Sequence, residues 1–234
     1  LGIEGYVGQD WFWALEGYTR TFDGVVAVNG AEDPNDELDD ILGGRGLSYG
    51  ADLLVRKEVG SLTGWAALSF LKADRTFPDA YSPFIPQPEV TYPPIFDRRI
   101  DFDLVLRYPL PFGGDGGLRW NFGTGIPYTK PIGSHRYYLP DFLREQGLLD
   151  RDGSAVVLGE RNGSRYAPYH RLDLSFRKTF EKPWGTLVPY LDLVNVYNRK
   201  NVLFYFFNYR ARPPTRSGIS MFPILPTFGF EVRF

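Results

Sequence analysis

His135 and His170 are the only histidines in the chain, and there is no cysteine. Disulfides, thiolate metal sites and cysteine nucleophiles are therefore excluded. Histidine chemistry needs convergent partners, and no HExxH or Gly-x-Ser-x-Gly spacing supplies them. His135 stands in a long connection and His170 at the start of an alternating segment, so both read as solvated side chains. Gly43-Gly44-Arg45-Gly46 has the look of a phosphate loop, but a strand-like segment follows it. A phosphate loop uses a helix N-terminus, so the turn reading is preferred. Carboxylates gather at Asp33 to Asp40 and at Asp150-Arg151-Asp152-Gly153. Such oxygens bind calcium, yet neither run has the spacing of a calcium loop. The chain is expected not to be an enzyme, with no catalytic residue, no metal ligand and no cofactor.

Aromatic side chains remain as the chemistry most on offer. They make up 17% of the chain, as 19 Phe, 15 Tyr and 5 Trp. Tyr81, Tyr92, Tyr137 and Tyr138 fall in long connections and are the candidates for stacking on a captured ligand. The run from Phe204 to Tyr209 has two readings, a ligand surface or a belt at lipid headgroups, and the belt is preferred. Trp11, Trp13 and Trp184 flank short connections and suit a second belt.

The elements that would carry these residues are strands. The 26 Gly and 19 Pro argue against helices. No apolar run reaches the roughly 20 residues of a membrane-spanning helix. Period-two alternation is the dominant signal. Phe102, Leu104, Leu106 and Tyr108 alternate with Asp101, Asp103, Val105 and Arg107. Leu172, Leu174 and Phe176 alternate with Asp173, Ser175 and Arg177. Phe228, Phe230, Val232 and Phe234 alternate with Thr227, Gly229, Glu231 and Arg233. About nine strands follow, near 2–8, 11–22, 47–58, 61–73, 99–110, 117–127, 170–180, 186–198 and 224–234. Val194 breaks the alternation of the eighth, where a bulge is one reading.

Short and long connections alternate along the chain. The short ones lie near Gly8, Gly60, Gly113 and Trp184; the long ones cover about 23–46, 74–98, 128–169 and 199–223. That asymmetry is the habit of outer-membrane barrels, with tight periplasmic turns and long extracellular loops. A mean hydropathy of −0.25 is compatible with it, because only every second residue of a barrel strand meets lipid. A net charge of −2 gives no pull toward nucleic acid. On this reading Asp101, Asp103, Arg107, Asp173, Arg177, Asp192, Glu231 and Arg233 line a lumen, together with Glu16, Arg20, Asp52 and Arg56. Alternation alone also fits a soluble sheet with one wet face.

Several segments resemble the TonB-dependent receptors of bacterial outer membranes. Thr227-Phe228-Gly229-Phe230-Glu231-Val232-Arg233-Phe234 is similar to the last strand of outer-membrane proteins, where the final aromatic and the apolar residues before it signal to the barrel-assembly machinery. Leu191-Asp192-Leu193 with Asn195-Val196-Tyr197-Asn198 resembles the "LDL…N-x-[YF]-N" pattern of the penultimate strands. Phe122-Gly123-Thr124-Gly125-Ile126-Pro127-Tyr128-Thr129 and Phe96-Asp97-Arg98-Arg99 resemble motifs around two earlier strands, with Ile100 near where the family often has His.

The resemblance implies an all-β antiparallel transmembrane barrel, of which residues 1–234 form the C-terminal part. It implies a place in the bacterial outer membrane with a periplasmic C-terminus, and import of a scarce nutrient of siderophore, cobalamin, glycan or peptide type. Implied partners are outer-membrane lipid, the assembly machinery through Phe228, Phe230, Val232 and Phe234, and TonB by way of a plug domain not found in this sequence. Such transporters use about 22 strands around a plugged lumen, so the natural chain is expected to be longer. Two other readings stay open: a small self-contained or multi-chain outer-membrane barrel acting as pore or surface protein, and a soluble β-sandwich binding module.

Overall fold

The computed structural model describes residues 1–28, 41–78, 89–137, 153–209, 211 and 215–234. Strands account for its regular structure, and no helix occurs among the described residues. The long ones are β1 (Gly2–Val7), β2 (Trp11–Val28), β3 (Ile41–Lys57), β4 (Thr63–Pro78), β6 (Ile100–Pro109), β7 (Asp115–Gly123), β12 (Tyr169–Arg177), β14 (Gly185–Val194) and β17 (Leu225–Arg233). These match the expected strands one for one. They form a single antiparallel sheet in which each strand pairs with its chain neighbour, in the order β1-β2-β3-β4-β6-β7-β12-β14-β17. A short β13 (Phe180–Lys182) continues the register of β12 against β14. β1 pairs only with β2 and β17 only with β14 among the described residues, so the sheet is open, with two edges.

Strict alternation carries across every register and sorts the side chains. One face collects Leu15, Leu53, Leu68, Phe102, Trp120, Leu172, Leu191 and Phe228. The other collects Glu16, Asp52, Ser69, Asp101, Asp103, Asn121, Arg171 and Asp192. A one-residue slip in any pair would exchange the faces, so the polarity pattern fixes the register. Among the described residues nothing covers the apolar face. Leu15 is 43% exposed, Leu68 43% and Phe230 72%. Only Ala73, Phe77 and Tyr92 are buried hydrophobic residues among those described, which is no core for a soluble sheet. Toward the long-loop end this face turns polar at Lys72 and Asp74, which pair at 3.1 Å.

The polar face is hollow. Between β6, β7, β12 and β14 it lines a cavity of about 550 Å³ with Arg107, Asp115, Arg119, Asp173, Ser175 and Asp192. Tyrosines lie flat on it where the facing strand has no side chain. A Cβ at Gly50 would come within 2.6 Å of the Tyr18 hydroxyl, and one at Gly229 within 2.5 Å of the Tyr190 hydroxyl. Each Tyr faces its Gly across the register, so ring covers bare backbone.

All short connections fall at one end of the sheet, because antiparallel neighbours alternate in direction. The opposite end carries further strands that the alternation does not announce: β5 (Glu89–Tyr92) on β4, the hairpin β9 (Pro131–Tyr137) with β10 (Gly153–Leu158), the pair β8 (Pro127–Tyr128) with β11 (Ser164–Arg165), and the hairpin β15 (Val202–Asn208) with β16 (Thr215–Ser220).

Two expectations are corrected. Gly43 to Gly46 is no turn but part of β3, and the Phe77 ring occupies the space a Gly44 side chain would need. Val194 is not bulged; it pairs in register with Leu225, and the strand ends at Asn195, whose φ of 57° leaves the β region. A bulge does occur in β2 between Asp23 and Val25, where Gly24 has a φ of 72°.

Candidate functional site

The charges expected to line a lumen share one face. Asp101, Asp103 and Arg107 on β6 align with Gly123, Asn121 and Gly117 on β7, and those with Tyr169, Arg171 and Ser175 on β12. Arg107 pairs with Asp115 at 2.9 Å, Arg171 with Asp173 at 2.8 Å and Arg233 with Glu231 at 2.7 Å. The Asn121 amide donates to Asp103. Such exposed pairs contribute little stability each. Their mixed signs keep the charged face near neutral on average.

At the long-loop end the structure builds two tight polar knots from residues the sequence places far apart. The first centres on Asp97, whose side chain is fully buried. Its Oδ1 accepts the Ala73 backbone N–H of β4 at 2.8 Å, and its Oδ2 accepts Arg99 at 2.9 Å and also Arg165. The Arg165 guanidinium donates further to the carbonyls of Asp97 and Gly125, the latter at 3.0 Å. One carboxylate thus joins β4, the segment before β6, the stretch after β7 and β11. Gly125 is obligatory there, because any Cβ would collide with the Tyr166 backbone.

The second knot explains Asn195, Asn198 and Asn201. The Asn195 N–H donates to Asp173 at 2.9 Å, and its side-chain amide donates to the Arg199 and Phe222 carbonyls at 3.0 and 3.1 Å. Asn198, with a φ of 52°, accepts the Ile224 N–H at 3.0 Å and so fixes the chain just ahead of β17. Asn201 accepts from the His170 N–H at 3.2 Å and donates to the His170 carbonyl at 2.9 Å, as a neighbouring strand would. Asn tolerates the left-handed region and its amide imitates a peptide, which is why this residue type recurs. Asn198→Gly keeps the backbone shape and is expected to cost about 1 kcal/mol, the value of one hydrogen bond. Asn198→Ala adds the left-handed penalty for a total of about 2 kcal/mol. Urea unfolding of both variants checks this; equal losses would mean that the backbone conformation contributes nothing.

Aromatic rings form the outer layer. Tyr128, Tyr166 and Tyr205 make a triangle with centroid separations of 4.4, 5.2 and 5.7 Å. Burial pushes the Tyr166 phenol above its ordinary pKa, and the neighbouring Tyr128 and Tyr205 add to this, so it remains a protonated donor. Arg216 on β16 lies 4.4 Å from the Tyr205 centroid. On β15, Tyr205 and Phe207 share one face with Tyr209 beyond, while Phe204 and Phe206 point the other way and are 40% and 56% exposed.

The four loop tyrosines expected to meet a ligand fare differently. Tyr81, Tyr138 and the Tyr137 side chain lie outside the described residues, as do both carboxylate runs except Gly153. Tyr92 is buried, stacked on Phe77 at 5.8 Å with the Arg161 guanidinium 4.6 Å from its ring. His135 sits in β9, exposed, and His170 Nδ1 shares a 2.7 Å hydrogen bond with the Tyr197 hydroxyl. Phe228, Phe230, Val232 and Phe234 fall on the uncovered apolar side of β17, with Leu187 and Leu191 beside them. Asp97, Arg165, Asn201, Tyr128, Tyr166 and Arg216 were not singled out by type or spacing. For the knots, the usable signal was an Asp or Asn inside a resemblance motif with no alternation to explain it.

Neither a family model, nor a curated protein, nor a solved structure matches this chain.

Proposed function

We propose that this chain forms part of the wall of an outer-membrane transport barrel of the TonB-dependent receptor type, taking up a scarce nutrient. One observation carries the reading: an apolar face runs uncovered across nine paired strands, opposite a charged face, with almost no buried hydrophobic residue. In water an apolar expanse of that size invites association. In a bilayer it is matched to the acyl chains, while the charged face meets a wet interior. The two open edges need partner strands, because unpaired backbone groups in hydrocarbon cost several kcal/mol each. Further strands that close the barrel satisfy them. The short-turn end then faces the periplasm with the C-terminus, and the two knots and the aromatic layer face outside. A soluble sandwich would need a second layer over Leu15, Leu68 and Phe230, and nothing among the described residues covers them.

Tryptophan quenching by lipids brominated along the chain tests this. Trp120 lies on the apolar face and Trp65, opposite Arg56, on the polar face. In single-tryptophan variants in liposomes, Trp120 is expected to be strongly quenched and Trp65 hardly at all. Equal quenching of the two, or none, would sink the proposal.

A further inference from the structure

We propose that the cleft between β9 and the β15–β16 hairpin binds a small anion carrying a flat unsaturated ring. The proposal rests on the import reading for the side from which the ligand arrives. The cleft has a volume of about 320 Å³, room for one or two fused rings, at the small end of ligand sites. Lys130 and Ile132 line one side, and Phe207, Tyr209 and Arg216 the other.

The lining is specific in three respects. Phe207 and Tyr209 present rings inclined by only 10°, with centroids 6.2 Å apart, a flat wall two rings long. Lys130 and Arg216 have no carboxylate partner among the described residues, whereas Lys72, Arg107, Arg171 and Arg233 each pair with one. The Arg216 guanidinium lies over the Tyr205 ring, 4.4 Å from its centroid, a cation–π contact that helps to hold it in place. The Tyr209 hydroxyl is buried and has no hydrogen-bond partner among the described residues.

The chemistry of the occupant follows. Two cations without counter-ions attract negative charge, and a guanidinium gains most from a planar oxyanion. A bare inorganic anion would surrender its hydration against Ile132, Phe207 and Tyr209 and recover only part of it. A neutral ring would stack but leave both cations unanswered. An aryl carboxylate or sulfonate answers both needs: ring against Phe207 and Tyr209, and oxyanion between Lys130 and Arg216.

The experiment is calorimetric titration of the detergent-solubilised protein, with empty-micelle blanks, using naphthalene-2-sulfonate as probe. Naphthalen-2-ol supplies the ring without the charge, and methanesulfonate the charge without the ring. Saturable binding of naphthalene-2-sulfonate is expected, at least tenfold tighter than either control. Arg216→Gln and Lys130→Gln, on opposite walls, are each expected to weaken it about tenfold, the usual worth of one charge-assisted contact. Two variants on separate elements guard against a hairpin that simply misfolds. Equal binding of naphthalen-2-ol, or full affinity in both variants, would overturn the proposal. Protein that enters liposomes without binding the probe overturns the cleft and leaves the wall reading standing. Protein that binds the probe but stays out of lipid does the reverse.

Discussion

Phe230→Arg is expected to abolish insertion into a membrane. Phe230 stands on the apolar side of β17, 72% exposed, facing Pro189 on β14. A guanidinium there must enter hydrocarbon, at about 2–4 kcal/mol depending on depth. The last strand has one neighbour among the described residues, so little else holds it in place. Val188→Arg on the adjacent strand is the matched control. Val188 faces Glu231 on the polar side, where a new cation gains a partner and keeps its water. Flotation of the protein with liposomes, followed by trypsin protection, reads the outcome. Val188→Arg should float like the parent and Phe230→Arg should sediment. If Phe230→Arg floats and Val188→Arg does not, the assignment of the two faces is reversed.

Asp97→Ala is expected to be the most damaging substitution at the loop end, costing about 3 kcal/mol. The carboxylate is fully buried, whereas Arg99 and Arg165 keep about a third of their side-chain surface in water, 33% and 32%. That residual hydration puts the loss at the low end of the range for breaking a buried pair. The Ala73 N–H would also lose its acceptor. Because the knot fastens the stretches before β6 and after β7 to β4 and β11 and takes no part in the pairing of the main strands, the sheet should survive while the stretches at 93–99 and 124–128 become open to protease. Limited proteolysis with mass mapping distinguishes this from global collapse. Asp97→Asn should retain part of the stability, since its oxygen can still accept from Ala73 or an arginine. Cleavage within β6 or β7 in Asp97→Ala would show that the knot supports the sheet itself.

How much of this was legible in the sequence depends on whether a feature is periodic. The nine main strands were readable because most of them alternate between apolar and polar residues, as in Asp101 to Tyr108, although the second, fourth and eighth do so less cleanly. Their short-turn ends came out within three residues. The long-loop ends of β6, β12 and β17 came out within one residue, but β2 and β3 run on to Val28 and back to Ile41, through Gly24, Gly43, Gly44 and Gly46, which carry no side chain to display a face. The strands of the loops, such as Pro131-Ile132-Gly133-Ser134-His135-Arg136-Tyr137, have no single apolar face and so gave no signal. The Asp97–Arg165 contact spans 68 residues of sequence. Nothing at either position marks the other, since a buried ion pair is a fact of three-dimensional closeness. The aromatic run at 204–209 was visible, but not its sorting into inward Tyr205 and Phe207 and outward Phe204 and Phe206, which awaited the hairpin register.

A sheet one residue thick, with no second layer against its apolar side, stores little information in most of its sequence. A packed interior rejects a Leu exchanged for Phe or Ile because neighbours must interlock, but Leu68 or Leu104 interlocks with no facing layer here. Such positions specify a polarity and not a shape, and they can drift freely among Leu, Ile, Val and Phe without loss of fold. The irreplaceable letters are few: Asp97 and its arginines, Gly125, the asparagines at 195, 198 and 201, and the glycines under Tyr18 and Tyr190. A chain built this way loses textual similarity to its kin long before it loses its architecture. Its ancestry is better sought in those sparse fixed points and in the rhythm of polarity than in the bulk of its residues.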